Sequence, residues 1–181
     1  MALATDTQET FKGEAADMIG KGMTKRAAKE AFKKSGMSVK DVNVCELHDC
    51  FASNELLTYE NLGFCEEGKA AEAVDNGDFE YGGRIVVNPS GGLISKGHPL
   101  GATGVAQCAE LCWQLRGMAD ARQVNKAKVG LSHNLGLGGA VVVGLYTKMN
   151  PNVPGRTRPD QTCDPDLIER WEKQHATRAK L

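Results

Sequence analysis

Two short segments carry side chains that could do chemistry, and each segment lies directly before an expected helix. His48 and Cys50 belong to HDC, and His98 belongs to GHP within SKGHPLGATG. A neutral imidazole can take a proton from a thiol or donate a hydrogen bond to a carbonyl oxygen. A helix N-terminus lowers a thiol pKa and disfavours a charged imidazole. Singly, such residues are more often structural, but together they indicate acyl-transfer chemistry.

Alternating helices and strands must position these two segments. The pattern predicts an α/β domain with a mixed sheet. Thr24 is expected to be the N-cap of the first helix and Gly36 to end it; Leu56, Leu57 and Tyr59 are expected to pack in the second. The predicted elements are helices at 24–36, 51–63 and 101–117, strands at 42–47, 84–88, 128–133 and 140–146, and a variable loop at 66–83.

The helix after GHP is almost free of charge. Within residues 101–117 only Glu110 and Arg116 are charged. A helix that is apolar all round is buried on most sides, so this one is expected to lie between sheets. Cys108 and Cys112, four residues apart on one face, are expected to be small core residues rather than metal ligands.

Composition excludes several classes of partner and cofactor. The 181 residues include 22 basic and 23 acidic side chains, which argues against nucleic acid or an anionic membrane surface. No apolar run reaches the roughly 20 residues that span a bilayer. The six cysteines form no CxxC pair and are interpreted as free thiols, so no metal site is predicted. GLGG at 136–139 precedes a strand, where a dinucleotide fingerprint requires a helix.

Three long strings resemble the C-terminal half of the thiolases of the sterol carrier protein X type. They are ELHDCFASNELLTYENLG, NPSGGLISKGHPLGATG and HNLGLGGAVVV, and the resemblance runs from Ala2 to Lys148. It implies a thiolase-like C-terminal domain, one of two βαβαβαββ halves, with the helix after GHP buried between sheets. The first strand of that half is expected to be absent or reduced to MALATD.

The resemblance also implies roles for the site residues. His98 would activate a nucleophilic thiol and, with support from His48, form an oxyanion hole, while Cys50 would handle the proton of the α-carbon. Coenzyme A would be a substrate, with no separate cofactor. The residues assigned to the oxyanion and substrate loops are Gly97, Asn134, Gly136 and Gly138.

The family's nucleophilic cysteine belongs to the N-terminal half, and no segment of this sequence matches its Cys-x-Ser loop. The expected partners are therefore acyl-CoA, an N-terminal thiolase half and, in the complete enzyme, a second copy. The chain would be a truncated product, one part of a split enzyme, or a non-catalytic thiolase-like module. A retro-aldolase is a further alternative, since some members of the superfamily break carbon–carbon bonds without that cysteine.

The chain is expected to divide into three parts. Residues 1–23 would be a remnant of the preceding strand and loop, residues 24–149 the thiolase C-terminal domain, and residues 150–181 a proline-containing tail. The tail ends in Ala179-Lys180-Leu181, which differs by one small residue from the Ser-Lys-Leu address. This ending predicts peroxisomal localisation through the import receptor.

Overall fold

One mixed sheet of five strands, in the order β1-β5-β4-β2-β3, organises the protein. The structure is a computed structural model and describes residues 1–5, 19–136 and 139–148. The strands are β1 (Ala2–Thr5), β2 (Val44–Glu46), β3 (Val86–Val87), β4 (Val129–Gly136) and β5 (Ala140–Thr147). The helices are α1 (Lys21–Ser35), α2 (Ala52–Leu62), α3 (Ala70–Asp75), α4 (Gly92–Lys96) and α5 (Thr103–Arg116), with 3-10 turns at Val39–Asp41 and Asp120–Arg122. The predicted α/β class with a mixed sheet is confirmed.

The sheet brings the two reactive segments to one edge. Strand β2 pairs in parallel with both β3 and β4, so the carboxyl ends of these three strands share an edge, where sites in such sheets form. His48 follows β2 at that edge. Strand β4 pairs antiparallel with β5. The first strand is present in reduced form, as four residues antiparallel to β5.

Helix α1 packs against β1 and β5. Its buried face includes Met23, Ala27 and Ala31, at the spacing of an amphipathic helix. The helix begins one turn earlier than predicted, since its N-cap is Gly20 rather than Thr24. Thr24 instead lies within the first turns of the helix, and its side chain is buried. The helix ends at Gly36, as expected, with this glycine in the left-handed conformation.

The region at 66–83, predicted as a variable loop, contains α3 and part of the core. Ala70, Ala73 and Phe79 are buried, and the Phe79 ring stacks on Tyr59 of α2 with centroids 4.0 Å apart. The loop prediction was wrong because the glycines there obscured a short helical pattern. The prediction for Leu56 was also wrong, because this side chain is exposed on the outer side of α2.

Helix α5 is buried on one side only, contrary to the expectation of burial on most sides. Gln107 and Gln114 face inward with Leu111, while Val105 is 71% and Trp113 43% exposed. The sheet covers only one face of this helix. Among the described residues, no element packs against its outward apolar face. No helix in this described part is long and apolar enough to cross a bilayer.

Candidate active site

His48 and His98 lie against each other at the carboxyl edge of the sheet. Their ring centroids are 4.8 Å apart and the planes meet at 84°, an edge-to-face contact. His48 is supplied by the loop after β2, and His98 by the loop between α4 and α5. The fold therefore joins two residues that lie 50 positions apart in the sequence.

Hydrogen bonding assigns the tautomer of His98. Its Nδ1 lies 2.8 Å from Thr103 Oγ1, and the Thr103 hydroxyl donates to the carbonyl oxygen of Pro99 at 3.2 Å. Because that hydroxyl has only one hydrogen and donates it to Pro99, its oxygen accepts a hydrogen bond from His98 Nδ1–H. His98 Nε2 is left with its lone pair, and the half-buried ring can act as a base through that nitrogen.

His48 is a buried imidazole with one free nitrogen. Its side chain is 5% exposed, and Nδ1 has no hydrogen-bond partner among the described residues. Burial lowers the pKa of His48; a hydrogen bond with Asn134 opposes this shift and His98 adds to it. His48 is therefore a neutral ring at neutral pH, and its Nδ1 is open to a ligand.

His133, which the sequence did not single out, anchors the His48 loop. Its Nδ1 accepts a long bond of 3.5 Å from the backbone N–H of His48, so its Nε2 carries the proton and donates to Thr24 Oγ1 at 3.1 Å. Burial, together with His48, lowers the pKa of His133 to about 3. The available signal was a histidine at the end of a predicted strand, between Ser132 and Asn134.

The pKa of Cys50 is shifted in the direction opposite to the one expected from the sequence. Cys50 is half-buried in the loop before α2, and its pKa is raised rather than lowered. Burial is the largest cause, and the backbone N–H groups of Phe51 and Cys50 oppose it. Desolvation of a thiolate outweighs the helix terminus here. Cys50 is therefore a protonated thiol at neutral pH, two residues from His48.

Asn134 joins the histidine pair, whereas Gly97 and Gly136 have backbone roles. Asn134 hydrogen-bonds His48 and donates through Nδ2 to Gln107 Oε1. Gly97 ends α4 with a φ of 94°, a left-handed conformation that favours glycine. Gly136 lies at the end of the β4–β5 hairpin opposite Ala140, and Gly138 lies outside the described residues.

Two buried carboxylates next to His48 were also not singled out by the sequence. Asp49 is 3% exposed and accepts hydrogen bonds from the backbone of α4. Glu46 is fully buried; burial raises its pKa, while Ser90 and Lys96 oppose that shift. Charged residues in a short buried strand and its loop were the signal, because such groups are rarely buried without partners.

The described residues contain no group of three or more histidine, cysteine or acidic side chains that could hold a metal. The free thiols described are Cys45, Cys50, Cys65, Cys108 and Cys112. The sixth cysteine, Cys163, lies outside the described residues. The histidine pair, with Asn134 beside it and a thiol nearby, can carry out proton transfer and oxyanion binding with side chains alone.

Comparison with known proteins places this site in a family. A family model described as "Thiolase C-terminal domain-like" matches residues 4–143. Sterol carrier protein 2 of Rattus norvegicus is 59% identical over 160 residues, which are 88% of this chain and 29% of the relative. Acetyl-CoA acetyltransferase of Methanothermobacter thermautotrophicus is 48% identical over 126 residues, which are 69% of this chain and 33% of the relative.

A solved structure described as "Ltp2-ChsH2(DUF35) aldolase" is also similar. It has a TM-score of 0.61 and 25% identity, over 70% of this chain and 32% of that chain. This chain thus spans about a third or less of the length of each protein compared here. The resemblance to lipid-transfer thiolases is confirmed, and the chain belongs to the family of thiolase C-terminal domains.

Proposed function

We propose that this chain supplies the acid/base and oxyanion-binding residues of a thiolase that acts on 3-ketoacyl-CoA and coenzyme A. The observation that carries the proposal is the edge-to-face contact of His48 and His98, with a free nitrogen on each ring. Two relatives have names that fit this reaction class: the acetyl-CoA acetyltransferase above and a "Benzoylsuccinyl-CoA thiolase subunit BbsB" of Thauera aromatica, 40% identical over 123 residues.

In the cleavage direction, His98 Nε2 takes the proton of a nucleophilic cysteine. The thiolate sulfur then bonds to the keto carbon of the substrate, and its oxygen becomes an oxyanion. In this proposal the Nε2–H of the neutral His48 ring, which hydrogen-bonds Asn134 in the free protein, donates to that oxyanion, while the unpartnered Nδ1 keeps its lone pair. A neutral His48 suits this role, because it can donate a hydrogen bond to the oxyanion without transferring its proton.

Collapse of the oxyanion breaks the carbon–carbon bond and leaves a carbanion on the α-carbon of the departing acyl-CoA. The Cys50 thiol, protonated because of its raised pKa, donates its proton to that carbon. The Cys50 thiolate then takes the thiol proton of coenzyme A, and the coenzyme A sulfur bonds to the carbonyl carbon of the acyl-cysteine. The bond from that carbon to the cysteine sulfur breaks, the shortened acyl-CoA leaves, and the cysteine thiolate takes back the proton that His98 holds.

The nucleophile comes, in this proposal, from an N-terminal thiolase half, and the complete enzyme is a homodimer. The outward face of α5, with Val105 and Trp113 exposed, supports a protein layer on that side, since large apolar patches mark interaction surfaces. The limited share of the relatives that the chain spans also supports it.

A retro-aldolase is the second candidate, and the similarity to an aldolase structure favours it. In that reaction a base takes the hydroxyl proton of a 3-hydroxyacyl-CoA. The carbon–carbon bond then breaks to give a carbonyl compound and an acyl-CoA carbanion, which is protonated. His98 and Cys50 would serve as base and acid, and no cysteine nucleophile would be needed.

One experiment separates the candidates. The chain is mixed with the N-terminal half of a related thiolase that carries the Cys-x-Ser loop, and cleavage of a 3-ketoacyl-CoA is followed with and without coenzyme A. We expect turnover that requires both the added half and coenzyme A. Cleavage of a 3-hydroxyacyl-CoA without coenzyme A would favour the aldolase, and thiolase turnover by the chain alone would contradict the need for a second half.

The proposed location is the peroxisome. Support comes from Ala179-Lys180-Leu181 at the C-terminus, which resembles a receptor-read address. These residues lie outside the described part of the structure.

A further inference from the structure

The segment that presents His48 also reaches across to the helix that precedes His98. Helix α4 ends at Lys96, two residues before His98, so any displacement of α4 moves the His98 loop. Two buried carboxylates of the His48 segment, Glu46 and Asp49, contact opposite ends of this short helix.

Asp49 holds the first turn of α4. Its Oδ1 accepts a hydrogen bond of 2.7 Å from the backbone N–H of Leu93, and Oδ2 accepts a bond of 3.4 Å from Ile94. First-turn N–H groups have no partner within their own helix, and the N-cap Gly91 has no side chain to offer. A carboxylate from another loop fills that role here.

Gly92 makes this close approach possible. Its φ is 62°, and a Cβ at this position would overlap Asp49 Oδ2. A side chain at residue 92 would therefore push α4 away from the His48 loop. The glycine and the carboxylate form a fitted pair.

Glu46 holds the last residue of the same helix. Its Oε2 lies 3.4 Å from Lys96 Nζ and accepts a hydrogen bond of 2.7 Å from Ser90 Oγ, while Lys96 also contacts that hydroxyl. Glu46 is fully buried and the Lys96 side chain is 29% exposed. The carboxylate of this ion pair is therefore shielded from water, whereas the ammonium group is partly exposed. A buried charge is stabilised only when its partner lies in a favourable geometry.

We propose that Glu46 and Asp49 are positioning residues that fix α4 at both ends and so set the contact between His48 and His98. The two carboxylates lie on either side of His48, so one segment carries the first histidine and holds the helix that leads to the second. We call Glu46 and Asp49, with their contacts to α4, the clamp. Its effect on catalysis rests on the proposed function, whereas its effect on the distance between the two histidines does not.

The geometric test uses the complete 181-residue chain. The nuclear Overhauser effect between the imidazole protons of His48 and His98 reports their separation. We expect it to weaken several-fold in Asp49→Asn, which loses one acceptor oxygen, and in Glu46→Gln, which loses the charge facing Lys96. Lys96→Met removes the other partner of the same contact while Ser90 still donates two hydrogen bonds to Glu46, so it tests that contact if Glu46→Gln fails to fold.

Two matched controls remove similar interactions elsewhere. Asp41→Asn disturbs an exposed carboxylate that caps the turn at Ser38 with bonds of 2.7 and 2.8 Å. Lys34→Met removes an exposed pair with Glu30 at 3.2 Å. We expect both controls to keep the full histidine–histidine signal.

The kinetic test uses the chain combined with the N-terminal half. A misplacement of about 1 Å can lower turnover by about 10²-fold, so we expect kcat to fall between about 10- and 100-fold in the clamp variants, with KM unchanged. An unchanged signal in folded clamp variants, or equal losses in the controls, would overturn the proposal. If the signal weakens as expected but no combination cleaves a 3-ketoacyl-CoA, the clamp stands and the proposed thiolase function fails.

Discussion

Replacement of His98 and of His133 by alanine should have opposite effects, although the chemical change is the same. His98 is half-buried, and its one side-chain hydrogen bond is to Thr103. Loss of a typical hydrogen bond costs about 0.5–1.5 kcal/mol of stability. Loss of a general base or oxyanion donor lowers turnover by about 10²- to 10⁴-fold. His98→Ala should therefore fold normally and be nearly inactive.

His133 is 1% exposed and has two hydrogen-bond partners, Thr24 and the backbone N–H of His48. Each partner left buried without a bond costs about 1–3 kcal/mol, and the vacated space adds a cavity term. The two partners together account for about 2–6 kcal/mol before the cavity term, which is a large part of the roughly 5–15 kcal/mol that stabilises a domain.

The assay is urea unfolding followed by circular dichroism for both variants, combined with turnover per folded molecule after the N-terminal half is added. We expect His133→Ala to shift the midpoint strongly and His98→Ala only slightly. If His98→Ala unfolds at least as readily as His133→Ala while its folded fraction keeps full turnover, His98 is a structural residue and the reasoning fails.

Three further predictions concern other properties. Thr103→Val removes the acceptor for His98 Nδ1–H and should lower kcat by about 5- to 15-fold, the equivalent of about 1–1.5 kcal/mol. Steady-state kinetics of this variant, measured beside His98→Ala, test the prediction. An unchanged kcat would contradict the tautomer assigned to His98. Since the pKa of His133 is lowered from 6.5 to about 3, the unfolded chain binds a proton here that the folded chain does not, so stability should fall as pH drops through that window, by at most about 1.4 kcal/mol per pH unit. Urea midpoints across this pH range should show a steeper fall for the natural chain than for His133→Gln, and parallel curves would count against it. A reporter carrying residues 150–181 should become punctate and return to the cytosol when Leu181 is deleted, whereas diffuse signal from the intact tail would leave the address without support.

The order of elements was readable from the sequence because it depends on local patterns. Apolar spacing indicated α1, α2 and α5, the run of valines at 141–143 indicated β5, and β4 was indicated as the strand before the same glycine-rich turn. The glycine at position 36 ended α1 as expected, since a left-handed residue at a helix end is a local requirement. The HDC and GHP segments could be found for the same reason, because each occupies a short loop at the end of an element.

Tertiary structure alone decided how those loops meet and what each group's pKa is. The 4.8 Å contact of His48 and His98 joins a loop after β2 to a loop that follows β3 and α4, and the parallel pairing of β2 with β3 is specified by no local pattern. The sign of the pKa shift of Cys50 likewise depends on burial of the thiol in the folded chain. His133 read as one more strand residue until its burial and its two partners gave it a role. Local spacing fixes which face or loop a residue occupies, whereas burial and long-range hydrogen bonds, which set its chemistry, arise only when distant segments pack together.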